Sequence, residues 1–85
     1  MDAVEVLDRL ADHVKEDRDF VPRRDPRTRR VYVNAAGHDW ELLLTGPKWF
    51  DAQSASGGGG AVDLAMHLWR LTFKQAVSML VKHNV

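Results

Sequence analysis

The chain has 85 residues, 45% hydrophobic and 28% charged, and its twelve Lys and Arg balance twelve Asp and Glu. That length admits one core and one domain, residues 1–85, and the absence of cysteine excludes disulfides, thiolate metal ligands and cysteine nucleophiles. No apolar run approaches the ~20 residues of a membrane span, and Asp2, Glu5 and Asp8 stand where a signal peptide carries positive charge, so a soluble cytoplasmic protein is expected.

The start of the chain carries a capping-box pattern, Asp2 with Glu5 three residues on. Val4, Leu7, Leu10, Ala11 and Val14 then recur at helical spacing, which predicts a helix over residues 2–16. Pro22, Pro26 and the lack of an apolar period predict an extended connection over residues 17–28, with a turn at Asp25-Pro26. Residues 30–34 are β-branched and aromatic enough for a strand, residues 35–39 with Gly37 supply a reversal, and residues 40–45 form a second strand. Gly46-Pro47 suits a type II′ turn into a third strand over residues 48–51. Alternation puts Trp40, Leu42 and Leu44 on one face and Glu41, Leu43 and Thr45 on the other. Four glycines at 57–60 read as a tight strand-to-helix turn before a helix over residues 61–70, whose apolar stripe is Val62, Ala65, Met66 and Trp69, widened by Leu64 and Leu68. After a break at Arg70-Leu71, Thr72 and Gln75 form a second capping box. It opens a last helix with Phe73, Ala76, Val77, Leu80 and Val81 on its apolar face. The expected fold is therefore α+β: an N-terminal helix, a three-stranded antiparallel sheet and two C-terminal helices.

Charge is unevenly spread. Residues 1–17 hold two basic side chains against six acidic ones, and residues 18–30 hold six arginines against two aspartates. Arg23, Arg24, Arg27, Arg29 and Arg30 fall within eight positions, with Tyr32 just after. Guanidinium groups at that density pair with successive phosphates, and an aromatic ring beside them stacks on a base. Lys48 and Trp49 extend the pattern along the sheet, although Trp40, Trp49, Phe50 and Trp69 read first as core. The alternative is a solvated loop whose arginines pair with the acidic first helix. The glycine run could also cradle a phosphate at a helix start, but no G-x-x-x-x-G-K-[ST] or G-x-G-x-x-G pattern accompanies it. His13, His38, His67 and His83 show no ligand spacing, no Ser sits in a nucleophile elbow, and Asp51 and Asp63 read as a solvated charge and a helix-dipole partner. Neither a metal, a cofactor nor an enzymatic activity is expected.

The segments LLLTGPKWFD (42–51), GGGG (57–60), AVDLAMHL (61–68) and LTFKQAVSML (71–80) together resemble the N-terminal zinc-binding domain of bacterial DnaG-type primases. The likeness is to the shortened versions in primase-like and toprim-associated proteins of plasmids and other mobile elements. It covers about residues 40–82, and the closing helix motif is its most specific part. It implies a zinc-ribbon-like fold without the zinc. The family's second pair of ligand cysteines would fall on Gln53 and Ser56, and its earlier C-x-x-H pair near residues 22–28, where no Cys or His exists. The family domain engages single-stranded template and contacts a neighbouring catalytic domain. The resemblance thus implies a non-catalytic nucleic-acid-binding accessory, single-stranded DNA above all, in replication or transfer of a plasmid, phage or other mobile element. Arg23, Arg24, Arg27, Arg29, Arg30 and Lys48 would hold phosphates, and Tyr32 and Trp49 would stack on bases. The alternative is a protein-interaction module docking onto a polymerase, helicase or toprim-type primase, with an apolar patch around Trp69 and Met79.

Overall fold

The computed structural model describes residues 3–83, so Asp2, the residue read as the first helix cap, lies outside them. In chain order the elements are α1 (Ala3–Leu10), β1 (His13–Glu16), β2 (Arg29–Ala35), β3 (His38–Thr45), β4 (Lys48–Asp51), β5 (Ser56–Gly58), α2 (Ala61–Trp69) and α3 (Phe73–Lys82). The class is α+β, but the sheet has five antiparallel strands in the order β1-β2-β3-β4-β5, not the three expected. The expected strands are the inner three, and both additions are edges.

The first helix stops at Leu10 instead of running to residue 16. Ala11 N still donates to Leu7 O at 3.2 Å, but Asp12 N turns to Asn34 O and Asp17 N to Arg30 O, both at 2.8 Å, bracketing a ladder along β2. Val14 satisfies two patterns at once: four residues from Leu10 on a helix, or opposite Val33 on a strand. What decides between them is the edge of the seven-residue β2, whose amides and carbonyls would otherwise lie unpaired. At the other edge, β5 pairs with β4, placing Gly57 opposite Phe50 and Gly58 opposite Trp49. The glycine run is therefore half strand, not a simple turn. A Cβ at Gly58 would stand 2.8 Å from Asp63 Cβ and 2.9 Å from Trp49 Nε1, a close approach that only glycine permits.

The turns depend on residues at positive φ, which glycine takes without strain and which Ala36 and Arg70 take here against their residue type. Ala36 and Gly37 both take positive φ, 54° and 75°, in the two-residue loop that joins Ala35 to His38. Gly46, at φ 58°, opens the loop between Thr45 and Lys48. Arg70, at φ 53°, breaks the chain between α2 and α3, and in the second capping box Gln75 N donates to Thr72 Oγ1 while Thr72 N donates to Gln75 Oε1.

All three helices cover the same face of the sheet. Val31 and Val33 of β2, Leu42 and Leu44 of β3 and Trp49 of β4 pack with Val6 and Leu7 of α1, Leu64 and Leu68 of α2, and Ala76 and Leu80 of α3. The buried stripe of α2 is thus centred on Leu64 and Leu68, with Val62, Met66 and Trp69 at its flanks. On α3, Phe73 and Val81 leave the core altogether, at 63% and 70% exposure. No helix among the described residues is long and apolar enough to cross a membrane.

The close approach at β5 separates two neighbouring glycines. Gly58→Ala should destabilise the fold by about 1–3 kcal/mol through overpacking, whereas Gly59→Ala, whose Cβ would meet nothing within 4 Å, should change stability by less than about 1 kcal/mol. Urea unfolding of the two variants checks this, and equal effects would contradict it.

Candidate nucleic-acid interface

Because the helices cover one face only, strand alternation sorts the arginine segment into two groups. Arg30 and Tyr32 on β2 point to the open face, as do Glu41, Leu43 and Thr45 on β3 and Lys48 and Phe50 on β4. Two aromatic rings stand on it, Tyr32 at 42% and Phe50 at 41% exposure. Arg29 lies in register with the core residue Leu44 and so belongs to the helix-covered side, where its Nη1 donates to Glu16 Oε1 at 2.9 Å. It shares a cleft there with Val4 and Leu44.

The acidic segment that opens the chain does supply partners, Glu16 to Arg29 and Asp17 to Arg30, but they stand on and just after β1 and not on a helix. Arg30 donates from Nε (2.9 Å) and Nη2 (2.6 Å) to Asp17 Oδ2 and reaches Glu41 Oε1 at 3.4 Å. Its guanidinium also lies over the rings of Phe20 and Tyr32, 5.2 and 5.9 Å from their centroids. Tyr32 Oη donates to the same Asp17 oxygen at 3.3 Å. The hydrogen bonds from Arg30, and next the Asp19 amide, hold the Asp17 carboxyl below its ordinary value. Arg27 closes a local loop, donating to Asp25 from its backbone amide at 2.9 Å and from Nε and Nη2 at 3.2 and 2.9 Å. Thr28 and Thr45 share a hydroxyl hydrogen bond of 2.7 Å that pins the end of the connection to β3. Among the described residues, Arg23, Arg24 and Lys48 have no carboxylate partner and are exposed. These three cations are free to take phosphates without first giving up an ion pair.

Trp49 corrects the sequence expectation. Its position on β4 faces the helices, it is 4% exposed, and no ring face is left for a base. It packs instead against His67 of α2, ring centroids 4.9 Å apart, with Trp40 on the same imidazole at 5.4 Å. Phe50, the neighbour on the opposite face, is the aromatic that alternation exposes. Trp69 and Met79, read as a docking patch, are partly buried against the core.

The same helix side holds an arrangement the sequence reading missed. Asp51, read as a solvated charge, is 2% exposed, and its carboxylate accepts from His67 Nε2 (2.8 Å), Ser54 Oγ (3.1 Å) and Gln53 N (3.0 Å). Burial pushes this carboxyl up, but the hydrogen bonds from His67, Ser54 and Gln53 together outweigh burial and hold it below 3.8. The signal lay in periodicity: Asp51 falls on the core-facing alternate of β4 beside Trp49, and His67 stands three residues after Leu64 on the buried stripe of α2. Two polar residues at core positions of elements that must touch make a hydrogen-bonded pair, here a tie between sheet and helix.

The family's ligand positions are not brought together. Residues 22–28 run to the Thr45 end of β3, whereas Gln53 stands beside Trp40 at the other end, and five residues of strand separate these ends by about 17 Å. Among the described residues no group of three His, Cys, Asp or Glu could hold a metal ion. Compared with known protein families, curated proteins and solved structures, the chain matches none.

The Asp51 pair sets a sign for acid unfolding. A carboxyl lowered in the folded state stabilises fully above its unfolded value near 3.8 and loses that contribution as pH falls through the lowered folded value. Asp51→Asn should cost about 3 kcal/mol at neutral pH and flatten the acid limb of the stability curve by up to about 1.4 kcal/mol per pH unit. Urea midpoints measured across that range check it, and an unchanged acid limb in the variant would contradict it.

Proposed function

We propose that the chain is a non-catalytic cytoplasmic module that binds single-stranded nucleic acid, DNA above all, on the open face of its sheet. The observation that carries this reading is the coincidence, on one uncovered face, of two exposed aromatic rings, Tyr32 and Phe50, with the unpaired cations Arg23, Arg24 and Lys48. Rings stack on bases without regard to sequence while cations track the backbone, which is how single strands are held generally. The resemblance of residues 40–82 to the primase zinc-binding domain points the same way and supports an accessory role in replication or transfer of a mobile element. Arg27 and Arg30 would serve mainly to brace the connection, since both are already paired, and Arg29 lies on the other side of the sheet.

A second reading, docking onto a polymerase, helicase or toprim-type primase, is favoured by one observation. Phe73 and Val81 of α3 are exposed, and with Val77, four residues from each, they form an apolar strip along the flank of the face that Ala76 and Leu80 bury. It predicts that Phe73→Asp abolishes a stoichiometric complex with such a protein while leaving nucleic-acid affinity unchanged.

The first reading is tested by fluorescence anisotropy of a labelled oligothymidylate about 10 nucleotides long between about 50 and 200 mM salt. Affinity should fall linearly in log–log form. The double variant Arg23→Ala/Arg24→Ala should lower the slope by about 1.4, two phosphates at ~0.7 each. Arg29→Ala should leave it unchanged. Salt-independent binding, or a slope that the double variant does not move, would overturn the proposal.

A further inference from the structure

The extended connection does more than carry charge. It folds back over one end of the open face and encloses a slot of about 360 Å3. Leu43 and Thr45 of β3 form its floor, Phe50 one wall, and Phe20 and Val21 of the connection the other, while Arg23, Arg24 and Asp25 stand at the rim, the Asp25 carboxylate already paired with Arg27. Its volume lies at the small end of the range for small-ligand pockets. Val21, a wall residue, is 78% exposed, so the slot opens to solvent along one side.

We infer that this slot takes a single nucleobase turned out of a strand, sandwiched beside Phe50, with Arg23 and Arg24 on the phosphates of that nucleotide and its neighbour. The inference rests on the single-strand reading above and gives it a mechanism of selectivity. Charge complementarity chooses the occupant. An apolar slot calls for a flat, weakly hydrated group, and two unpaired guanidinium groups at its mouth call for anions one nucleotide apart. A base attached to a phosphodiester supplies both. A duplex cannot enter, because its bases are stacked and paired and unstacking one costs a few kcal/mol.

The wall is fixed before any ligand arrives. Phe20 is held under Arg30, whose guanidinium is itself anchored on Asp17. Further along, the Asp25–Arg27 loop and the Thr28–Thr45 hydroxyl pair pin the segment to β3. The paired arginines therefore order the connection, and the unpaired ones contact the strand. A slot built this way loses little conformational freedom on binding. At its floor, one hydroxyl of the Thr28–Thr45 pair donates to the other, which leaves one O–H free to meet a polar edge of the base.

The test compares an oligothymidylate with an abasic sugar-phosphate strand of the same length and with a duplex, on the full chain and on Phe50→Ala. Stacking is worth ~1–3 kcal/mol per base, so the oligothymidylate should bind about 5- to 150-fold more tightly than the abasic strand. Phe50→Ala should lower that ratio by the share of the base in the slot, leaving the share stacked on Tyr32, while the salt slope stays as it was. Val21→Asn, at a position too exposed to threaten folding, should shift the ratio the same way. A ratio unchanged in both variants overturns the slot and leaves the single-strand reading standing. Equal binding of single strand and duplex, or no binding of any strand, overturns the slot and the single-strand reading together. A peptide of alternating Glu and Phe that binds more tightly than the oligothymidylate would identify a protein segment as the occupant and likewise overturn the proposal.

Discussion

Everything distinctive about this fold follows from an antiparallel sheet that is covered by helices on one face only. With a side-chain period of two, that asymmetry assigns every strand residue to core or surface, and neighbours in sequence part company. Arg29 and Arg30 go to opposite sides, as do Trp49 and Phe50. A cluster that looks continuous along the chain is divided in space, and the part that remains on the open face keeps Lys48 and is joined there by Leu43 and Phe50, which the linear pattern does not connect to it.

The helix side solves a different problem. A domain of this size buries a modest core, and the chain has no cysteine to hold metal or disulfide. Its sheet and second helix are tied instead by Asp51 and His67, with Trp40 and Trp49 packed on the imidazole. Breaking a buried, hydrogen-bonded charge typically costs 3–5 kcal/mol, although forming one contributes much less against water. The pair therefore fixes how α2 meets β4, while the bulk of the stabilisation comes from Leu42, Leu44, Leu64, Leu68 and their neighbours.

The elements most legible in the sequence were those whose local signals agree. The hairpin from residue 29 to 45, the Gly46-Pro47 turn, the break at Arg70 and the Thr72–Gln75 capping box all form where the sequence predicts them. Both edge strands were hidden because pairing with a neighbour, not local preference, creates them. Val14 fits a helical period as well as a strand, and glycine is a poor strand former that stays in β5 only because the Trp49 and Asp63 side chains approach it so closely. On the candidate interface, Tyr32, Arg23 and Arg24 were visible as a basic segment beside an aromatic. Phe50 and the slot were not, since they arise when the connection folds back onto a strand far along the chain, and with the register of β4 unknown Trp49 stood both as core and as a base-stacking ring, of which only the first holds.

One measurement addresses the two-faced account most directly: amide and side-chain NMR shifts of the full chain as a short oligothymidylate is added. Changes confined to the open face, at Tyr32, Leu43, Lys48, Phe50 and the connection around Arg24, with Trp49, His67 and α3 undisturbed, are the predicted result. Changes centred on Phe73 and Val81, or spread over the helix side around Arg29, would contradict it.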